Sequence, residues 1–147
     1  MSTDLGPDLF REALINGWRH DRQSGPAQAL IDSPPVAMPP ARNQYVLDIL
    51  RDCARHLRLP RSLLVHWRQG APGAAVGATS HDSQTGELAI YLDANIPTMR
   101  LATTIKHEAM HVAHLHTGRS RFVLIEEEEE ACDAYAMHHE IPETLKR

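Results

Sequence analysis

The chain has 147 residues, 42% of them hydrophobic, which suffices for one domain around a single modest core. Net charge is −4 and aromatics are only 5%; with no basic patch interleaved with aromatics, direct nucleic-acid binding is not expected. No apolar run approaches the ~20 residues that span a membrane, Met1-Ser2-Thr3-Asp4 does not open a signal peptide, and Cys53 and Cys132 have neither disulfide-framework nor paired metal spacing, so a cytoplasmic, reduced protein is expected.

Residues 1–42 differ from the rest. Residues 8–21 have the pattern of a short amphipathic helix with Leu9, Phe10, Ala13, Leu14 and Trp18 inward. The proline-rich stretch 33–40 suits neither a helix nor a central strand. It reads as a linker, or as an arm that wraps the domain and can pair two copies of the chain. From Asn43 to the end, residues 43–147, the pattern is that of one α+β domain. Val46, Ile49, Leu50, Cys53, Ala54 and Leu57 recur at helical spacing up to Leu59-Pro60. Leu63, Val65 and Trp67 alternate with Leu64, His66 and Arg68, as in a strand. Residues 74–80 are a weaker strand candidate, and residues 87–93 the clearest one, with Leu88, Ile90 and Leu92 on one face. A small mixed or antiparallel sheet is expected.

The next segment carries His107-Glu108-Ala109-Met110-His111, an H-E-x-x-H run. At about 100° per residue, Arg100, Thr103, Thr104, His107, His111 and His114 share one face of a helix, while Leu101, Ile105, Ala109, Val112 and Ala113 fall on the other. Asn95 can cap this helix, Pro97 suits its first turn and Gly118 its end. Two histidines one turn apart can hold one Zn²⁺, each nitrogen at roughly 2.0–2.1 Å. Glu108 stands beside them, placed to act as general base toward a zinc-activated water. The competing reading is a chance match on a solvated face in a chain with ten histidines.

A catalytic zinc needs a third protein ligand. His114 shares the His107 face but lies about two turns away, roughly 10 Å along the axis, and Thr117 stands where a longer motif would have its third histidine. The acidic final helix, about residues 125–139, is the better source. Glu129 shares a face with Ile125, Cys132, Asp133 and Ala136. It can bind the metal while Asp133, one turn on, accepts the second N–H of a ligand histidine. Glu126 and Glu130 are the alternatives, and Glu127 and Glu128 read as solvated charges at a helix N-terminus.

The segment 88–142 resembles the ImmA/IrrE family of small gluzincin metallopeptidases. The resemblance rests on a strand followed by Arg100-Leu101-Ala102-Thr103-Thr104-Ile105-Lys106-His107-Glu108, on Glu129-Glu130-Ala131-Cys132-Asp133-Ala134-Tyr135-Ala136, and on Ile141-Pro142. It implies a zincin-like fold for residues 43–147, makes Glu129 the third ligand, and suggests a helix-turn-helix repressor as a partner. Two positions depart from the family: Met110 stands in place of Gly, which narrows the space under the substrate, and Cys132 in place of Ala.

Together these features predict a zinc-dependent metallopeptidase acting on a peptide or protein, with Glu108 returning its proton to the leaving amine. The rival is a regulatory module that keeps the fold without turnover. Tyr135, Tyr91, His138, His139 and His81 are candidates to stabilise the developing oxyanion, with Tyr135 also readable as core and His138 and His139 as exposed. The strand at 87–93 is a candidate edge for an extended substrate.

Overall fold

The period-two alternation in three segments produces one mixed sheet. The computed structural model describes residues 23–147. In it, β1 (Leu64–Arg68) runs parallel to β3 (Leu88–Asp93), with Val65 opposite Ile90 and Trp67 opposite Leu92. β2 (Gly77–His81) runs antiparallel to β3, with Ala78 opposite Tyr91. The hairpin between them turns on Asp82, whose carboxylate accepts from the amides of Gln84 (2.9 Å) and Thr85 (3.2 Å). Gly86 supplies the positive φ of 76° that closes the turn. The strand order β1-β3-β2 makes β3 the central strand. The expectation that residues 87–93 offer a free edge to substrate is therefore wrong: both sides of β3 are spent on ladder hydrogen bonds. The edge positions belong to the flanking strands β1 and β2.

The longer helices lie on one face of the sheet. α1 (Gln28–Ile31) is a single turn, α2 is Pro40–Ala54, α3 is Thr98–His116 and α4 is Ile125–His138. Ile90, Leu92, Leu101, Ile105, Ala109 and Val112 are all fully buried in one core, with Val46, Leu50 and Cys53 of α2 completing it. α2 begins at Pro40, with Pro39 as its N-cap, so the proline-rich stretch hands over to a helix three residues earlier than its composition suggests. Proline fits there because the first helical N–H has no partner to lose. Arg42 then ties α2 to the start of α3, donating to the Ile96 carbonyl (2.6 Å) and the Thr98 hydroxyl (3.2 Å).

The second face is also covered. Ala89 is buried opposite the helices, and the segment Gln23–Ile31, with fully buried Leu30, packs on β2 and β3. Pro34–Val36 then joins the outer side of β1: the Val36 amide donates to the Trp67 carbonyl (3.1 Å) and the Gln69 amide to that of Pro34 (2.8 Å). The amphipathic helix expected over residues 8–21 lies outside the described residues.

α3 is capped by Pro97, not by Asn95, whose amide instead donates to the Asp93 carboxylate (3.0 Å). Gly118, at φ 76°, ends the helix in the left-handed conformation, as its position predicts. His114, expected on the polar face, is buried, because its Nδ1 bonds the Met110 carbonyl one turn back (2.8 Å). Among the described residues no helix is long and apolar enough to cross a membrane.

Candidate metal centre

α3 and α4 pack against each other, and the site forms along their contact. The inward residues of α4 are Ile125, Glu128, Cys132, Tyr135 and Ala136, so its buried face centres near Cys132 and Glu129 sits at the rim. From that rim the Glu129 carboxylate reaches both motif histidines. Its Oε2 stands 3.2 Å from His107 Nε2 and its Oε1 3.0 Å from His111 Nε2. Ligand atoms at roughly 2.0–2.1 Å around one tetrahedral zinc lie about 3.3 Å apart. Two imidazoles and a carboxylate at this spacing are a donor set that fits zinc.

The far side of each ring is held as well. His107 Nδ1 meets Asp133 Oδ1 at 2.9 Å, and His111 Nδ1 meets Glu128 Oε2 at 2.5 Å. Each histidine thus keeps Nε2 directed at Glu129 while a carboxylate fixes its Nδ1, the arrangement that orients metal-binding imidazoles. Glu128 is the surprise. Read as a solvated charge, it is only 1% exposed and also accepts from the Ser120 hydroxyl (2.7 Å). The one-residue rotation of the buried face explains the reversal: position 128 turns inward where the alignment on Glu129 had turned it out. Glu126, Glu127 and Glu130 are exposed, and neither Glu126 nor Glu130 joins the histidines.

Charge follows this geometry. Burial alone would push His107 toward its neutral form, but the Glu129 hydrogen bond and the Glu108 charge outweigh it and raise its pKa. His111 is raised well above the ordinary imidazole value: burial opposes this, and Cys132, Glu128 and Glu129 overcome it. Burial likewise works against the Glu129 carboxylate, yet the hydrogen bonds from both imidazoles hold it well below the usual carboxylate range.

Glu108 is buried beside this cluster. Its Oε1 accepts from the Thr79 hydroxyl at 2.8 Å, across from β2. Its Oε2 lies close to Gly77, where a Cβ would come within 3.2 Å of it and within 2.8 Å of Thr104 Cγ2. Gly77 is therefore the residue that lets β2 approach α3. A cleft of about 450 Å³ opens here, walled by Ala75, Val76 and Gly77 on one side and by His107, Glu108 and Met137 among others on the opposite side. None of Tyr135, Tyr91, His138, His139 or His81 lines it. Tyr135 is core, while His138 and His139 are exposed. Met110, expected to crowd the substrate, is fully buried in the core and does not line the cleft.

Thr79, Gly77, Ser120 and Glu128 were not legible as site residues, because each acts across a long sequence gap or a fold contact. Cys132 was legible as a residue on the Glu129 face and as a departure from the family's Ala, but not as a donor. It is fully buried, and its sulfur forms a second donor group with His107 and His111, the three ligand atoms lying within 4.8 Å of one another. The Glu129 oxygens, at 3.2 and 3.0 Å from the two Nε2 atoms, make it a well-placed third donor. Burial pushes the Cys132 thiol up to about 12, against the pull of His111. Comparison with protein-family models, with curated proteins and with solved structures finds no match to this chain.

Proposed function

We propose that the protein is a zincin-like zinc metallopeptidase of the ImmA/IrrE type, working in the reducing setting suggested by its two free cysteines. The observation that carries this reading is the convergence of both Glu129 oxygens on the Nε2 atoms of His107 and His111, with Glu108 at the wall of the adjoining cleft. His107, His111 and Glu129 would hold the metal. When bound, zinc would supply Lewis-acid chemistry, lowering the pKa of water toward ~7 and polarising a carbonyl.

The chain's own residues do the rest. Glu108 takes the proton from the attacking water and returns it to the leaving amine. Thr79 occupies one of its oxygens and leaves Oε2 on the Gly77 side, so the base is held in one orientation. Substrate enters between α3 and the start of β2. An extended peptide is the natural ligand for such a cleft, because β2 is an edge strand and can pair with another backbone. The resemblance seen in sequence points to a helix-turn-helix repressor as the protein cleaved.

Metal analysis of the purified protein tests the centre, with about one zinc per chain expected. Glu108→Gln should keep that zinc and lose hydrolysis of a peptide library. Hydrolysis at the wild-type rate by Glu108→Gln would place the base elsewhere. Zinc without hydrolysis in the wild type would favour the non-catalytic regulatory module.

A further inference from the structure

We propose that Cys132 is a fourth protein ligand of this centre, so that the metal can be closed off by two imidazoles, a carboxylate and a thiolate. The inference rests on the metal reading above and adds a donor to it. Cys132 lies three residues after Glu129 on α4, so the two side chains project from neighbouring positions toward α3. Its sulfur and one ring nitrogen each of His107 and His111 all lie within 4.8 Å of one another. It is fully buried and does not line the open cleft.

Ligation forms one sulfur–metal bond and breaks one S–H bond, the proton leaving to solvent. The result is a tetrahedron with no position for water, which is how structural zinc sites differ from catalytic ones. Withdrawal of the sulfur, which takes the proton back, reopens one position while His107, His111 and Glu129 keep the metal. Such a centre is latent when closed. A thiolate also favours soft zinc over manganese or magnesium at the same site.

Cobalt(II) tests this without any substrate, because zinc is spectroscopically silent and cobalt takes the same tetrahedral donors. The full chain is loaded with one equivalent of cobalt and its absorption recorded. The expected result is a near-ultraviolet sulfur-to-cobalt charge-transfer band together with visible d–d bands. Cys132→Ser should lose the charge-transfer band and keep the d–d bands, and Cys132→Ala should do the same if the serine variant folds poorly. Visible bands without the charge-transfer band in the wild type would overturn the thiolate ligand and leave the three-ligand centre standing. A charge-transfer band that survives in both variants would also overturn it, since the sulfur would then be another one. Absence of any cobalt bands in the wild type would remove the centre itself.

Discussion

At the two imidazoles, removing a carboxylate has consequences graded by what that carboxylate touches. Glu129 meets both Nε2 atoms, so Glu129→Ala should weaken the centre strongly, and His107→Ala and His111→Ala should empty it. Asp133 and Glu128 each hold one Nδ1, and losing such a partner typically weakens metal binding about 10–100-fold. The two should not be equal. Asp133 is 72% exposed, so water can replace its hydrogen bond, whereas Glu128 is 1% exposed and its loss leaves His111 and Ser120 with buried, unpaired groups. Glu128→Ala is expected near the upper end of that range and Asp133→Ala near the lower, with Glu126→Ala and Glu130→Ala unchanged. Zinc titration against a competing chelator measures all of these, and a Glu128→Ala variant that binds like wild type would contradict the buried carboxylate–histidine pair.

Between elements, one close approach and one covering segment decide whether the site is built. Gly77 permits β2 to pass over α3, and a methyl there would stand 2.8 Å from Thr104 Cγ2 and 3.2 Å from Glu108 Oε2. Gly77→Ala should therefore cost about 1–3 kcal/mol by overpacking and displace the base. Urea unfolding gives the first effect and peptide hydrolysis at unchanged zinc content gives the second. On the far face of the sheet, Leu30 is fully buried where α1 packs on β2 and β3. Leu30→Ala should cost about 2–5 kcal/mol as a cavity in a close-packed layer. If Leu30→Ala unfolds at the wild-type urea midpoint, the segment 23–42 is only a tether and deleting it should leave the sheet intact.

For the whole molecule, protonation at the centre links stability and metal binding to pH. The folded pKa values of His107 and His111 are raised above 6.5. Their contribution is complete below that value and is lost as pH rises through the raised folded values. Glu129 is lowered from 4.5, so its contribution is complete above 4.5 and is lost as pH falls toward the depressed value. Metal-free protein should thus have its highest Tm between 4.5 and 6.5 and lose stability on either side. Thermal melts in chelator across that range check this, and a Tm that climbs from pH 6 to pH 8 would contradict it. Zinc must displace the imidazolium protons, so its apparent affinity should rise with pH and calorimetry in buffers of different ionisation enthalpy should record proton release.

Much of this protein follows from local pattern alone. Helical spacing in 43–57 and 99–117, and alternation in 63–68 and 87–93, locate α2, α3, β1 and β3, because burying one face of a helix or strand requires those periods. The same periodicity sets His107 and His111 on the polar side of α3 with Glu108 beside them, and Gly118 ends it for want of a Cβ. Tertiary structure decided what local pattern cannot hold. That β3 is central, leaving β2 as the strand beside the cleft, depends on pairing between distant segments. That Glu128 is buried and Glu129 stands at the rim depends on how α4 rolls against α3, and one residue of rotation exchanges their environments. Thr79 and Gly77 reach Glu108 from a weakly patterned strand 29 and 31 positions away, and Cys132 comes near the histidines only because the two helices pack there. A residue's own neighbours fix the face it projects from, but the partner on that face comes from another part of the chain.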